Sequence, residues 1–393
     1  MSSPAHGPRH RRTVPRRVYV LRRLLVLGVA VLFLAGVSIA VVALVSDGKS
    51  GSSAAASSTS SSTSTTPTTA PVTRNAVTLS FVGDMDLGSE PGLAPNAAHY
   101  LDPVKSALSA PTEFGNLEGT LTVRGTSKCG GPNTNSCYAF RNPPAFAHIY
   151  RAAGFNVLNS ANNHSHDFGE QGALDTTAAL ASAGIVQAGL PGQIGYITQG
   201  KTTIAFCDFA PYANTNDLLN FSAAQALISK AKQHAQIVVV YMHAGAEGTT
   251  ANMVTGQSEY YFGENRGNPE AFAKMAINSG ASLVVASGPH TLRGMQFYKG
   301  HLIAYSLGDF VSYNNFSTYG NLALSGVLHV TLSANGTFSA AHFVAVRMNS
   351  VGQPHVDPSN AATAYVASLS HKNFGSTAAV VSAAGTITAP AKS

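Results

Sequence analysis

Side chains suited to metal chemistry recur just after apolar segments of the sequence. They carry oxygen or imidazole nitrogen rather than thiolate, and they are Asp84, Glu118, Asn163, His243 and His290. Such a mixed set suits hard or borderline divalent ions such as Mn, Fe or Zn. Two ions about 3.5–4 Å apart would activate water against a phosphoryl or acyl centre. Any one of these residues is equally explained as a turn or core residue, so the prediction depends on all five together.

The densest of these clusters is NSANNHSHDFG at residues 159–169. Asn163 offers a neutral oxygen ligand, and His164 or His166 offers an imidazole ligand or a proton donor. Asp167 is placed to orient an imidazole through a hydrogen bond. The alternative is a turn stabilised by asparagine and aspartate caps ahead of the next helix.

Alternating strands and helices are predicted to position these residues. The strands are predicted at 77–82, 156–159, 203–208, 237–242 and 282–286, and the helices at 143–153, 172–183, 223–234 and 269–279. This order indicates an α/β domain, in which sites form at the carboxyl ends of the strands. Two hairpins are predicted later, around Lys299-Gly300 and Asn335-Gly336, so antiparallel strands follow the parallel units.

The motifs resemble one family in their order along the chain. They are GD and LG at 83–88, NLEG at 116–119, NNHxxDxG at 162–169, HxGxE at 243–247, GPH at 288–290 and YSLGDFV at 305–311. Together they resemble the CapA family of poly-γ-glutamate capsule biosynthesis proteins, which is related to calcineurin-like metallophosphoesterases. The resemblance covers roughly residues 77–312.

The resemblance implies a fold and a role for each matched residue. The fold would be an α/β (α+β) four-layer αββα sandwich of the metallophosphoesterase type. Asp84, Glu118, Asn163, His243 and His290 would bind one or two divalent ions (Mn, Fe or Zn). His164 would be the catalytic proton donor. Supporting positions would be Asp86, Asn116, Asp167 and Glu247.

The sequence departs from the family pattern near two of these motifs. Ser287 and Ala286 replace the first histidine and the glycine of Gly-His-x-Pro-His. Ala244 replaces an aromatic residue that often follows the lone histidine. Asp309 replaces the asparagine of Ser-Leu-Gly-Asn-Phe. The missing imidazole at 287 makes one metal position weaker or vacant, so one bound ion is the alternative to two. Compensation by Asp309 is a further alternative, although nothing in the sequence places it near the site.

The amino-terminal part of the chain predicts a membrane anchor. Residues 24–45 form an uncharged apolar segment that rises about 33 Å as a helix, which is enough to cross a bilayer core of about 30 Å. Seven arginines fall within residues 1–23, which predicts a basic cytoplasmic tail. Residues 46–75 form a Ser/Thr-rich spacer that cannot bury a core. A cleaved signal peptide is the alternative to an anchor.

The remaining chain is predicted to lie outside the cell. It comprises a CapA-like metallophosphoesterase-type domain at 76–350 and an Ala/Ser-rich carboxyl-terminal extension at 351–393. Cys129 and Cys137 bracket a Gly/Asn-rich loop and predict a disulfide in an oxidising compartment. Cys207 lies in an apolar segment and is predicted to be a buried thiol.

Charge and motifs narrow the possible functions. Beyond the arginine-rich tail the chain carries 17 basic and 18 acidic residues, which argues against nucleic acid as a partner. It has no P-loop, no G-x-G-x-x-G, no G-x-S-x-G elbow and no S-x-x-K in a suitable context. Two readings remain, a metal-dependent hydrolase of a phosphoester or amide, and a non-catalytic component. The predicted partners are an anionic cell-surface polymer or its membrane synthase, together with the membrane.

Overall fold

The computed structural model describes residues 76–134 and 137–391. Its strands are β1 (Val77–Met85), β2 (Gly88–Ser89), β3 (Gly92–Leu93), β4 (Thr112–Leu117), β5 (Thr120–Leu121), β6 (Arg141–Asn142), β7 (Phe155–Asn159), β8 (Val186–Ala188), β9 (Gly195–Gln199), β10 (Thr202–Phe209), β11 (Ile237–His243), β12 (Tyr260–Tyr261), β13 (Glu264–Asn265), β14 (Leu283–Ser287), β15 (Met295–Tyr298), β16 (His301–Ala304), β17 (Asp309–Val311), β18 (Leu324–Leu332), β19 (Phe338–Met348), β20 (Pro354–Val356), β21 (Val380–Val381) and β22 (Thr386–Thr388). Its α-helices are α1 (Phe146–Ala153), α2 (Gly169–Ser182), α3 (Phe221–His234), α4 (Pro269–Asn278) and α5 (Ala361–Phe374).

Two large sheets hold most of the strands. The first sheet has the order β21-β22-β19-β18-β1-β4-β7-β8, with β17 also paired to β1 and β20 to β19. Within it β1, β4, β7 and β8 run parallel, whereas β18 lies antiparallel to β1. The second sheet has the order β15-β16-β14-β11-β10-β9, and β10, β11, β14 and β16 are parallel. The parallel strands that carry the predicted ligands therefore have their carboxyl ends on the same side of the domain in both sheets.

The two sheets pack face to face through alternate residues of their strands. Phe114 of the first sheet stacks on Phe206 of the second, with ring centroids 5.5 Å apart, and lies 4.9 Å from the Tyr241 ring. These residues belong to one buried apolar cluster, to which strands of both sheets contribute side chains. This packing fixes the distance between the site edges of the two sheets.

Helices cover the outer face of each sheet. Tyr150 of α1 and Leu180 of α2 pack with Val82 of β1 against the first sheet. Ile228 of α3 and Phe272 of α4 pack against the second. The order of layers is thus helix, sheet, sheet, helix, and the mixed α/β fold predicted from the sequence is confirmed.

Local capping explains where several helices begin and end. The Asn220 and Asn268 side chains accept hydrogen bonds from the backbone N–H groups of Ala223 and Ala271, which begins α3 and α4. Helix α1 ends at Gly154, whose φ of 116° is favourable for glycine. These caps determine where the three helices begin or end relative to the neighbouring strands.

Residues beyond 350 add further elements to the first sheet. Strand β20 pairs with β19, and β22 pairs with both β19 and β21. Ala362 and Val366 of α5 join the apolar cluster between the sheets. None of the helices among residues 76–134 and 137–391 is long and apolar enough to cross a bilayer. The predicted span at 24–45 lies outside the described residues.

One buried carboxylate of the first sheet is remote from the predicted ligands. Glu113 of β4 is 2% exposed and accepts a hydrogen bond from the Ser80 hydroxyl. Burial raises the pKa of Glu113 to about 7. The unfolded chain releases this proton near its ordinary pKa of about 4.3, so the folded state binds more protons between these values. The contribution of Glu113 to stability is therefore lost as the pH rises through this interval.

We expect Glu113→Gln to remove this pH dependence. Relative to the variant, the wild-type chain should lose about 2–3 kcal/mol of unfolding free energy between pH 4.5 and pH 8, since one pKa unit corresponds to about 1.4 kcal/mol. Urea unfolding at both pH values measures the difference. Glu170→Gln, at an exposed carboxylate, is the matched control. Parallel pH profiles for wild type and Glu113→Gln would contradict the prediction.

Candidate metal centre

Two carboxylates of the first sheet form the floor of the site. Asp84 is the penultimate residue of β1, and Glu118 directly follows β4. The parallel register places Asp84 beside Asn116, so both chain ends reach the same edge. The side chains of Asp84 and Glu118 are fully buried. Carboxylates in such a position need compensating groups close to them.

Two imidazoles come from the second sheet. His243 ends β11 and pairs in register with Ser287, the last residue of β14. His290 follows three residues later, after a turn in which Gly288 has φ of 108°. The N–H of Gly288 donates to Asp84 Oδ2 at 3.2 Å. A Cβ at residue 288 would lie 3.2 Å from the His243 ring, so glycine lets this backbone approach the site.

Asp84, Glu118 and His290 each offer a ligand atom within 4.8 Å of the other two. The Nδ1 atom of His290 lies 3.7 Å from Asp84 Oδ2, and its Nε2 lies 4.0 Å from Glu118 Oε1. His243 lies 3.8 Å from an oxygen of Asp84 and 3.8 Å from one of Glu118. Ligand atoms about 2 Å from one ion lie roughly 3–4 Å from each other. These four distances are too long for hydrogen bonds, and in each ring Asp84 faces Nδ1 whereas Glu118 faces Nε2, so only one nitrogen of each imidazole could join a shared ion.

Several atoms of the predicted ligands have no hydrogen-bond partner within the described residues. Glu118 Oε1, His243 Nε2 and Asn163 Oδ1 are buried and make no hydrogen bond within the described residues. Native proteins rarely leave buried polar atoms unpaired. Carboxylate, amide and imidazole donors suit Mn, Fe or Zn, so the residues present fit a divalent ion at this position.

The electrostatics of the site favour a cation. Burial, followed by the nearby charge of Asp84, raises the pKa of Glu118 well above its usual range. Burial likewise raises the pKa of Asp84. Burial also lowers the pKa of His243 far below its usual value, which keeps this imidazole neutral and available as a ligand. A bound cation would relieve the repulsion between the two carboxylates.

Asn116 links the parts of the site. Its Nδ2 donates to Asp84 Oδ1 at 2.7 Å and to Glu118 Oε2 at 3.1 Å. Its Oδ1 accepts hydrogen bonds from the side chains of Asn159 at 2.6 Å and Asn162 at 2.9 Å. The supporting role expected for Asn116 thus corresponds to a hydrogen-bonding hub between the carboxylates and the loop that follows β7.

His164 faces the carboxylates from that loop. Its Nδ1 contacts Asp167 Oδ2 at 2.7 Å, and its Nε2 lies 4.0 Å from Glu118 Oε1. A carboxylate at Nδ1 holds the proton there and leaves Nε2 directed at the site. Burial lowers the pKa of His164, although Asp167 opposes the shift. His166 instead lies near Glu170 at 3.6 Å, so of the two histidines the structure places His164 at the site.

A disulfide-closed segment supports this histidine. Cys129 and Cys137 are joined, which confirms the predicted disulfide. Just before the bridge, Lys128 Nζ lies 2.6 Å from Asp167 Oδ1. Just after it, Phe140 donates its N–H to Asp167 Oδ2 at 2.6 Å and stacks on His164 with ring centroids 4.3 Å apart. Residues on both sides of the bridge therefore fix the His164–Asp167 pair.

A cavity of about 680 Å³ opens above these residues. Its walls combine aromatic and charged side chains, including Tyr138, Tyr261, Phe316, Lys128, Glu247 and Arg266. Arg266 contacts Glu247 at 2.9 Å, and Glu247 Oε2 lies 3.7 Å from His290 Nε2. Glu247, expected as a supporting residue, therefore connects the cavity wall to the candidate ligands.

Asp86 is the predicted residue that the structure places farthest from this role. Its Oδ2 accepts a hydrogen bond from Asn315 Nδ2, and its backbone N–H donates to the carbonyl of Val311 at 2.9 Å. Burial raises the pKa of Asp86 well above the usual range. It joins the loop after β1 to β17 and to the loop that follows it, and no hydrogen bond or ion pair within residues 76–134 and 137–391 links it to Asp84, Glu118, His243 or His290.

Sequence reasoning did not find every residue at the site. Ser287 donates its hydroxyl to Asp84 Oδ1, and Asp309 contacts His290 Nδ1 at 2.6 Å. Lys128 and Phe140 support Asp167, as described above. Ser287 and Asp309 were visible as departures from the family motifs. Lys128 and Phe140 carry no motif, and their only sequence signal is their position beside the two cysteines.

The two-sheet α/β fold and its buried carboxylates and imidazoles define a protein with a candidate divalent-metal site. Residues 78–314, more than half of the chain, match the family model described as "Bacterial capsule synthesis protein PGA_cap". The chain belongs to this bacterial capsule synthesis family, as the motifs predicted.

Three curated relatives have names that refer to the synthesis of a capsule, PGA or polyglutamine. The chain is 28% identical over 286 residues to the PGA biosynthesis protein CapA of Bacillus subtilis, covering 67% of this chain and 70% of that one. It is 32% identical over 183 residues to the capsule biosynthesis protein CapA of Bacillus anthracis, covering 41% of each. A probable polyglutamine synthesis accessory protein of Mycobacterium tuberculosis is 28% identical over 227 residues, covering 50% of this chain and 54% of that one.

Among solved structures, a putative 5'-nucleotidase from Staphylococcus aureus aligns with a TM-score of 0.38 and 16% identity. The alignment covers 72% of this chain and 54% of that one.

We expect Glu118→Gln to remove most of the stabilisation of the domain by metal. With EDTA the variant should melt near the wild-type temperature, because burial and the charge of Asp84 already raise the pKa of Glu118 and disfavour its charged form. With saturating Mn²⁺ the wild type should gain about 5 °C or more, whereas the variant should gain little. Thermal unfolding followed by circular dichroism measures both, with Glu170→Gln as the control. An equal gain with Mn²⁺ in wild type and Glu118→Gln would exclude Glu118 as a ligand.

Proposed function

We propose that this chain is an extracellular accessory protein of capsule or poly-γ-glutamate synthesis that carries a metal-dependent hydrolase of the metallophosphoesterase type. The substrate would be a phosphoester or an amide. The observation that carries the proposal is the convergence of Asp84, Glu118 and His290 within 4.8 Å, with unpaired ligand atoms beside them. The names of the relatives support the capsule role.

The residues of the chain divide the chemistry between them. Asp84, Glu118, His243 and His290 would hold the ion, with Asn163 as a neutral ligand. A divalent ion held there supplies a Lewis acid and acidified water. His164 would protonate the leaving group from Nε2 in its doubly protonated form, while Asp167 holds the proton on Nδ1. Phe140 covers the His164 ring and limits the access of water to it.

A second function is favoured by a specific observation. Ser287 stands where the family pattern has a histidine, and its hydroxyl is hydrogen-bonded to Asp84. A site with one imidazole fewer is compatible with a non-catalytic protein that binds an anionic polymer or contacts the polymer synthase. The accessory role in the name of the Mycobacterium tuberculosis relative supports such an association.

We further propose that residues 24–45 anchor the chain in the membrane with the two-sheet domain outside. The length of the apolar segment and the seven arginines before it support this orientation. The disulfide between Cys129 and Cys137 is also typical of an oxidising compartment.

Hydrolysis is tested with the full chain loaded with Mn²⁺ or Zn²⁺. The probes are bis(p-nitrophenyl) phosphate for phosphoesters and γ-glutamyl-p-nitroanilide for amides. We expect His164→Gln to lower kcat about 10²–10⁴-fold, the usual range for a general acid. His166→Gln, two residues away, should stay within about threefold of wild type. If the folded, metal-loaded wild type hydrolyses neither probe, the non-catalytic function is favoured instead.

Anchoring is tested in cells that express the chain with a carboxyl-terminal epitope. We expect the protein to sediment with membranes and to lose the epitope when intact cells are treated with protease. The amino terminus of the purified protein is then sequenced. A mature chain that begins after residue 43 would indicate a cleaved signal peptide, and an epitope protected in intact cells would contradict the outside location.

A further inference from the structure

Ser287, which replaces the family histidine, already makes two hydrogen bonds within the protein. The Ser287 hydroxyl lies between the Tyr241 hydroxyl and Asp84 Oδ1 and is hydrogen-bonded to both. It is fully buried at the end of β14. Its oxygen is neutral and used by these two neighbours, so Ser287 does not replace the lost imidazole as a ligand.

The other departure from the family pattern lies at the same place in the fold. Asp309 is the first residue of β17, which runs parallel to β1 and pairs Asp309 with Asp84 in register. The backbones are close here because Gly83 lies against the carbonyl oxygen of Gly308, with no room for a Cβ between them. A residue 225 positions along the chain thus carries its carboxylate to the side of Asp84.

The Asp309 carboxylate is only half satisfied. Its Oδ1 contacts His290 Nδ1 at 2.6 Å. Its Oδ2 is buried and has no hydrogen-bond partner within the described residues. Asp309 also lines the same cavity as His290. An unpaired, fully buried carboxylate oxygen beside Asp84 and His290 is a candidate ligand for a cation.

We propose that Asp309 is itself a ligand of the metal centre and takes the place of the imidazole absent at residue 287. The inference rests on the proposed metal site. It gives this chain a centre of three carboxylates, Asp84, Glu118 and Asp309, with the imidazoles of His243 and His290. A donor set enriched in carboxylate favours harder ions, so Mn²⁺ is the suitable probe.

The competing explanation is that Asp309 acts only through His290. A carboxylate on the remote nitrogen of a ligating histidine orients the ring, and its loss typically costs about 10–100-fold in metal affinity. A single substitution therefore does not separate the two roles. A double-mutant cycle does, because an effect that runs only through His290 vanishes once His290 is removed.

The experiment measures Mn²⁺ binding by the full chain, with electron paramagnetic resonance and titration calorimetry. The variants are Asp309→Asn, His290→Ala and the double variant. Asp309→Asn keeps the size of the side chain and an oxygen that accepts from His290, but it removes the charge. Asp208→Asn is the matched control, because Asp208 is also fully buried with unpaired oxygens but lies in β10.

We expect Asp309→Asn to weaken Mn²⁺ binding by about tenfold or more, both alone and in the His290→Ala background. Asp208→Asn should bind as wild type does. A loss that disappears in the His290→Ala background, or a change below about twofold, would overturn the ligand role. A wild type that binds no Mn²⁺ would overturn both this inference and the proposed metal site. Binding without hydrolysis would overturn only the proposed catalytic function.

Discussion

The burial of Asp84 and Glu118 between two sheets is the constraint on which the rest of the site depends. Two carboxylates withdrawn from water repel each other and lack the solvent that would stabilise them. Asn116, Ser287 and the Gly288 N–H supply hydrogen bonds to them, yet Glu118 Oε1 has no hydrogen-bond partner in the part of the chain that the structure describes. This unpaired oxygen between two buried carboxylates distinguishes the site from an ordinary hydrogen-bonded core network and is what a bound cation would satisfy.

The division of the site between two sheets determines how this constraint is met. The first sheet supplies carboxylates, and the second supplies imidazoles from the ends of β11 and β14. The distance between the two sets is fixed by aromatic packing, in which Phe114 contacts both Phe206 and Tyr241. The Tyr241 hydroxyl is also hydrogen-bonded to the Ser287 hydroxyl, so Tyr241 belongs both to the apolar core and to the polar site. Packing and chemistry are therefore not independent in this domain.

Sequence patterns predicted the strands with clear apolar runs, such as β1, β10, β11 and β14, and the polar residues at their ends. They did not predict β4 as a strand, because TEFGNL contains glycine, asparagine and glutamate and lacks β-propensity. Strand β17 has only three residues, and its pairing with β1 is a contact between distant parts of the chain. For that reason the place of Asp309 beside Asp84 could not be predicted from local patterns, whereas the positions of His243 and His290 near the strand ends could be.

The disulfide beside His164 makes part of the candidate site depend on oxidising conditions. The sheets and the candidate ligands are held by packing and hydrogen bonds that form in any aqueous compartment. The contacts of Lys128 and Phe140 with Asp167 are joined across a covalent bridge that persists only under oxidising conditions. Under reducing conditions Lys128 and Phe140 would be connected only through the intervening loop, and we expect the His164–Asp167 pair to be less firmly held. The oxidation state of Cys129 and Cys137 therefore affects how firmly Asp167 and His164 are held.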